Sequence, residues 1–465
     1  MEFETAVIGA GPAGLAAAIE LDRAGVKAVI VDMNPLPGGQ YYKYQAGPSQ
    51  GKTSHLNEDP IKTFFRTHLT YMPQTTAWGI FPQPGKFLVC LDGPLENPNR
   101  IHARKVILAP GSYEKPRPFP GWTLPGVITT GAARTIIKTN GFFPRDRVVV
   151  CGLGPHLLIL AKEMLERGIR LQAVVETCPF PRLDLSDMLT MMRHPALSWQ
   201  VLESWLVLKK FRVPIYWNWQ IEKAMGEDKL EALQIFNKQN PGEKKTIAVD
   251  TLCSGYGFLP ANQLAIQAGC DHHIASPGDG ILLPMVNENL ESNLPGFFIS
   301  GDCGGVAGRN AARWSGRLSA LEVSRKLGYP VDRTKSEYFK KNLALETNFW
   351  NRTAAMFLDS PGWLNELPDD TILCRCEDIT FADVRLAVRQ GADTANSIKQ
   401  ITRAGMGRCQ GRQCGILITQ LIAELLKEDP SNIGRIAPGA PIFPVRIGQL
   451  IESDAGLSSE MDKVS

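Results

Sequence analysis

Residues 4–14 read Glu4-Thr5-Ala6-Val7-Ile8-Gly9-Ala10-Gly11-Pro12-Ala13-Gly14, and an alanine-rich run continues them. An apolar run of strand type leads into glycines spaced G-x-G-x-x-G, and helix formers follow. In that context the spacing signifies a dinucleotide-binding turn. Gly9 permits the tight turn, Gly11 lets a pyrophosphate come against the backbone, and Gly14 lets helix and strand pack closely. The helix start, where Pro12 presets the backbone and Ala13 and the residues after it carry N–H groups, offers donors and a partial positive charge to the pyrophosphate. A second strand, Ala28-Val29-Ile30-Val31, ends at Asp32, 18 residues past Gly14. An acid there can bind the ribose hydroxyls of adenosine. A lone glycine spacing would say little; strand, helix and acid agree here. The alternation of strand and helix predicts an α/β fold with a doubly wound parallel sheet.

A second unit of the same kind starts at Arg147, with strand Val148-Val149-Val150-Cys151, turn Gly152-Leu153-Gly154-Pro155 and a strand over Gln172–Val175 ending at Glu176. It departs from the pattern at Leu157, which stands where the third glycine would be, with His156 before it. A bulky side chain there holds helix and strand apart, so NAD binding is not expected, and a nucleotide fold kept for structure is the competing reading. No arginine cluster argues for a 2′-phosphate. Between the units, Lys86–Leu91 and Val106–Leu108 read as part of a β-meander. Residues 179–219, with Trp199, Trp205, Trp217 and Trp219 at mostly helical spacing, read as a helical insertion packed on its own domain. Residues 249–258 and 297–325 read as strand–turn–helix closures that return the chain to the first unit. Residues 330–370 form a connector rich in aromatics.

Length and composition agree with several domains. The chain has 465 residues, 44% hydrophobic and 21% charged, enough for two to four domains of ordinary globular type. A net charge of +3 gives no basic field for nucleic acid. No apolar run reaches the roughly 18–20 residues of a membrane span, and no secretory leader precedes the first strand. The expectation is a cytoplasmic protein, membrane-associated only through partners, in a compartment that keeps thiols reduced.

Four of the ten cysteines gather in the C-terminal part as Cys374-x-Cys376, a gap of 32 residues, then Cys409-x4-Cys414. Thiolates in such a set suit an iron–sulfur cluster or a closed tetrahedral zinc site. Only the cluster carries electrons, which favours it behind a nucleotide-binding unit of redox type. Thr380-Phe381-Ala382-Asp383 can cap a helix, and a second helix is expected over Ile416–Lys427. The other six cysteines (90, 151, 178, 253, 270 and 303) read as core residues. The tail beyond Gly456 is polar. No cysteine pair suits a disulfide reductase. No nucleophile–histidine–acid set is present, and no catalytic residue can be picked out. His272-His273 after Cys270 is a weak metal candidate.

Other stretches carry a family resemblance. Gly38-Gly39-Gln40 resembles the glycine pair after the second strand of FAD-dependent pyridine nucleotide reductases. Ile107-Leu108-Ala109-Pro110-Gly111 resembles their alanine-threonine-glycine turn, with Pro110 for the threonine. Phe297-Phe298-Ile299-Ser300-Gly301-Asp302 resembles their late FAD motif. The resemblance implies that Gly39, Gln40, Gly111 and Gly301 line a cofactor and that Asp302 bonds the ribityl chain. Pro118–Val127 and Gly301–Gly308, together with the cysteine module, resemble the α (alpha) subunits of heteromeric dye-linked amine dehydrogenases. That group includes opine oxidases, L-proline and hydroxyproline dehydrogenases and the hydrogen cyanide synthase B subunit. The cysteine module is similar to a bacterioferritin-associated-ferredoxin-like (BFD-like) 2Fe-2S domain.

What the resemblance implies is specific. The fold is two Rossmann-like, glutathione-reductase-like domains plus a small, mainly helical iron–sulfur domain. The FAD-binding domain takes residues 1–115 and 290–330, an NAD-binding-like domain 116–289, a connector 331–370, the 2Fe-2S domain 371–440 and a tail 441–465. A separate FAD-containing β subunit oxidises a secondary amine or imino acid. This chain holds FAD, or another adenine nucleotide, and a cluster on Cys374, Cys376, Cys409 and Cys414. It passes electrons to an external acceptor. A small ferredoxin-like subunit is a further partner, and FMN has room at a subunit interface. Two alternatives remain: a self-contained NAD(P)H-dependent reductase of a ferredoxin or small acceptor, and a non-catalytic scaffold with a nucleotide and zinc.

Overall fold

The computed structural model describes all residues except 43–58, 141–142, 144–146, 181–186, 188–190, 193, 276–279, 358–361 and 451–465. Strand Ala28–Val31 is apolar and wholly buried, and strand Glu2–Ile8 is buried from Thr5 to Ile8, as strands covered on both faces must be. They pair in parallel, Thr5 opposite Ala28 and Ile8 opposite Val31. The first sheet has seven strands in the order Thr70–Met72, Ala28–Val31, Glu2–Ile8, Arg100–Leu108, Lys86–Asp92 and Thr76–Gln83, with Phe297–Ile299 also pairing Arg100–Leu108. Strand Arg100–Leu108 changes neighbours along its length. Its first half runs antiparallel to Lys86–Asp92, and its second half parallel to Phe297–Ile299. The expected meander is therefore three strands, Thr76–Gln83, Lys86–Asp92 and Arg100–Leu108.

The second sheet repeats the scheme with five parallel strands in the order Ile215–Trp217, Leu171–Glu176, Val148–Gly152, Thr251–Gly255 and Val127–Thr129. A three-stranded antiparallel sheet, Trp219–Met225, Ala232–Asn237 and Lys244–Ala248, stands beside it. The fold corrects three expectations. Trp217 and Trp219 lie on strands, and only Trp199 and Trp205 lie on a helix, Pro195–Lys210. Strand Thr251–Gly255 sits inside the second sheet. The chain returns to the first unit only afterwards, where Phe258–Pro260 pairs Ser112–Glu114 and Leu264, Ala265 and Cys270 join the first core. Residues 258–270, expected in the second unit, thus pack on the first.

The connector is a single helix, Arg333–Ala355, capped by the Asp332 carboxylate, which accepts from the Thr334 N–H. After it, a module with its own apolar core encloses Cys374 and Cys414. The Thr380–Asp383 capping box opens helix Phe381–Arg389, and Cys414 stands at the start of helix Gly415–Leu426. The segment beyond 440, expected to be tail, is docked as far as it is described. Ile442 is in the first core, its N–H donates to the Trp78 carbonyl at 3.1 Å, and Arg446 pairs with Asp92. The expectation for the tail beyond Gly456 lies outside the described residues. Among those described, no helix is long and apolar enough to cross a membrane.

Candidate functional site

The first glycine loop is held by close approach. A methyl group on Gly14 would lie 1.8 Å from the Gly9 carbonyl oxygen, and one on Gly9 would lie 2.4 Å from the Ala109 oxygen. Gly11 has nothing within 4 Å of such a methyl, so its backbone faces open space at the start of helix Pro12–Arg23. Asp32 is buried; its carboxylate accepts from the Ala10 N–H at 2.6 Å and the Asn34 N–H at 2.7 Å. Gly38 donates to the Ala10 carbonyl at 2.7 Å, which brings Gly39 against Gly11. Gln40 lies at the rim, its side-chain oxygen 3.4 Å from the Thr135 hydroxyl.

Helix Gly308–Leu327 seals the other side. A methyl on Gly316 would meet the Ala13 carbonyl oxygen at 2.1 Å, so the two helices touch backbone to backbone. Gly301 donates to the Ser315 hydroxyl at 2.8 Å. Asp302 accepts from the Ser112 hydroxyl at 3.2 Å and the Ala307 N–H at 3.3 Å. Burial pushes its carboxyl above the ordinary range against those donors. Gly9, Gly11, Pro12, Ala13, Gly14, Asp32, Gly39, Gly111, Gly301 and Asp302 thus gather at the carboxyl ends of the first sheet's strands, where the crevice of such folds binds its ligand. Ser112 is a member that the motifs do not name; its place directly after Gly111 is the signal that points to it.

Strand Ser112–Glu114 leads from this crevice to the cysteines. Ser112 reaches Asp302, while the neighbouring Tyr113, on the opposite face of the strand, lines a cleft with Gln263, Gln410, Arg412 and Arg435. The Tyr113 oxygen accepts from Gln263 at 3.1 Å. Burial pushes its phenol up to about 12, with the negative charge of Cys409 and Cys414 a smaller contribution. One face of the strand thus meets Asp302, and the other a cleft lined by Gln410, Gly411 and Arg412, which lie between Cys409 and Cys414.

The four cysteines come together as two pairs. Cys374, at the end of strand Ile372–Cys374, is bonded by the Cys414 thiol and by the N–H groups of Gly405, Cys376 and Glu377; the Cys414 bond is the largest cause holding it down to about 6. Cys414 is pushed up by the same bond. Cys376, raised chiefly by burial, bonds Cys409. Among the described residues no three His, Cys, Asp or Glu side chains gather about one point in the manner of a metal site, and His272 bonds the Cys270 carbonyl instead. The Arg412 Nε donates to the Cys409 carbonyl at 3.2 Å. The module rests on the second unit. The Trp122 indole donates to the Ile372 carbonyl at 2.8 Å, Arg375 lies over the Trp122 ring, and Arg117 lies 3.5 Å over Trp363.

Two nucleotide folds in tandem, with the crevice of one completed by a late glycine-aspartate turn, define an oxidoreductase of flavin-dependent type. The chain belongs to the pyridine nucleotide-disulphide oxidoreductase family, which matches residues 3–317, while residues 370–453 match the sarcosine oxidase A3 domain. It is 30% identical over 464 residues to an opine oxidase subunit from Agrobacterium tumefaciens (strain Ach5), covering 96% of this chain and 91% of that one. It is 29% identical over 476 residues to hydrogen cyanide synthase subunit HcnB of Pseudomonas protegens, covering 98% and 99%. The crystal structure of L-proline dehydrogenase from P. horikoshii shares the fold at a TM-score of 0.73 and 20% identity, over 97% of this chain and 79% of that one.

Proposed function

We propose that the chain is the electron-transfer subunit of a heteromeric dehydrogenase that oxidises a secondary amine or imino acid of the opine, proline or hydroxyproline class on a partner subunit. The first crevice holds FAD or another adenine nucleotide. Cys374, Cys376, Cys409 and Cys414 hold a 2Fe-2S cluster, and electrons leave to an external acceptor. The observation that carries this reading is the strand Ser112–Glu114, with Asp302 on one face and, on the other, the Tyr113 cleft lined by Gln410, Gly411 and Arg412 from the loop between Cys409 and Cys414. The relatives named as subunits of opine oxidase and hydrogen cyanide synthase support the multi-subunit setting.

The cysteine arrangement favours two irons over one zinc. A closed zinc site needs four ligands about one point. A 2Fe-2S cluster takes two thiolates on each of two irons, and the bonds of Cys374 to Cys414 and of Cys376 to Cys409 support that division. A cluster bound there would supply one-electron chemistry. The chain's own part is to deliver thiolates, N–H donors and the cations Arg375 and Arg412, which stabilise the reduced form.

An anaerobic absorption spectrum with iron and acid-labile sulfide assays tests the reading. Flavin bands, absorption beyond about 500 nm and about two irons per chain are expected for a 2Fe-2S centre. Stoichiometric zinc in place of iron would refute it. Cys409→Ser is expected to leave nucleotide binding intact and to stop dye reduction by the assembled complex; surviving dye reduction would show that electrons do not pass through this module.

A further inference from the structure

The two glycine loops differ in what stands over them. Gly11 opens onto free space, but a methyl on Gly154, its counterpart in the second unit, would lie 3.7 Å from the ring of Phe357. The residue that opens the second-unit helix, His156, is stacked face to face on Trp350 at 5.8 Å and 8° and meets the edge of Phe258 at 6.5 Å. Trp350 also reaches the first unit: a methyl on Gly308, at the start of helix Gly308–Leu327, would lie 2.8 Å from its indole nitrogen. One indole therefore fills the gap between the helix start of the second nucleotide fold and that of a first-unit helix.

Both aromatics belong to the connector helix Arg333–Ala355 and the turn after it, and the helix is tied down along its length. Phe339 and Phe349 are buried, the Phe339 ring packs on Trp314 and the Phe349 ring lies 3.8 Å from that of His194. The Asn310 side-chain amide donates to Glu346 at 3.2 Å. A pyrophosphate must approach the second glycine of the turn and the helix N-terminus behind it, and these are the two places covered.

We infer that the connector helix is a resident plug: Trp350 and Phe357 occupy the space in which the pyrophosphate and nicotinamide of a dinucleotide would lie, so the second nucleotide fold takes no NAD(P)H. This deepens the relay reading, for a flavin in the first crevice is then closed to hydride donors bound on this chain and is reduced from the partner subunit. The plug selects the donor; the connector is seated on helix Gly308–Leu327 of the first unit and reaches across to His156 and His194 of the second.

The test is an anaerobic titration of the full-length chain with NADH and with NADPH, read by tryptophan fluorescence and by flavin absorbance. The wild type is expected to show no saturable change at millimolar nucleotide. Trp350→Ala combined with Phe357→Ala is expected to gain saturable binding, at least tenfold tighter. Wild-type saturation at micromolar NADH overturns the inference. So does a folded double variant that binds no better than wild type, since Leu157 and not the plug would then exclude the nucleotide. If the double variant does not fold, hydrogen exchange of the wild type decides. Amides of residues 154–159 are expected to be protected and unchanged by NADH, and exchange as fast as an open loop refutes the plug. Missing iron would sink the relay and leave this result standing, because fluorescence reads binding and not reduction.

Discussion

Gly14 and Gly11 occupy the same turn and have opposite tolerances. Gly14→Ala forces a methyl onto the Gly9 carbonyl oxygen and is expected to cost about 3 kcal/mol or more and to abolish nucleotide retention. Gly11→Ala meets no protein atom, so it should leave the melting temperature unchanged while weakening the nucleotide at least tenfold. Thermal melts paired with assay of bound nucleotide separate the two. Glu176 gives a pH signature of its own. Burial raises its carboxyl from 4.5 to about 7, outweighing the N–H groups of Cys178 and Gly154. The folded state then binds a proton that the unfolded state has lost, so this residue makes stability fall as pH rises from about 4.5 to about 7. The effect is on the order of 3 kcal/mol at most. Glu176→Gln should flatten that part of the melting curve, and an unchanged slope would show that Glu176 is ionised throughout. Asp302 is pointed to only by the resemblance of Phe297–Asp302 to a late FAD motif, whereas the glycine spacing makes the turn and Asp32 legible in sequence. It cannot separate an open loop from a covered one, because Phe357 lies some 200 residues beyond Gly154.

Elements are legible where one period dominates. The buried strands Ala28–Val31 and Val148–Gly152 are continuous apolar runs, and the structure has both where the sequence puts them. Trp217 and Trp219 fall in a stretch that reads as helical, although a separation of two is the period of a strand, and they lie on strands. The connector helix escapes sequence reading because its buried residues are few, Phe339 and Phe349, and its apolar side chains serve two different surfaces. The second unit, which it touches at His156 and His194, also carries the cysteine module, through Trp122. Trp122→Phe removes the indole bond to the Ile372 carbonyl at a cost of about 1 kcal/mol. The expected result is faster hydrogen exchange across residues 371–426 with no change in the first sheet. Equal exchange in both would mean that the module does not open as a unit.

At the scale of the molecule, the second sheet is assembled from residues 127–255 alone, while the first needs strand Phe297–Ile299 beside Val106–Leu108 and helix Gly308–Leu327 against Pro12–Arg23. The two nucleotide units are legible because each announces itself with a turn. The interleaving beyond Gly257 is not, since strands of three residues such as Phe258–Pro260 and Phe297–Ile299 carry too little pattern to name their partners. The change of neighbour along strand Arg100–Leu108 also sets an order of events during synthesis. A ribosome has made residue 108 roughly 190 residues before it makes residue 299, a wait of roughly 10 to 40 s at ordinary elongation rates. Through that interval Val106–Leu108 is paired on one edge with Glu2–Ile8 and has no partner on the other, while the second sheet can already close. Chains truncated near residue 295 should therefore collect in aggregates or on chaperones, and those ending after helix Gly308–Leu327 should not.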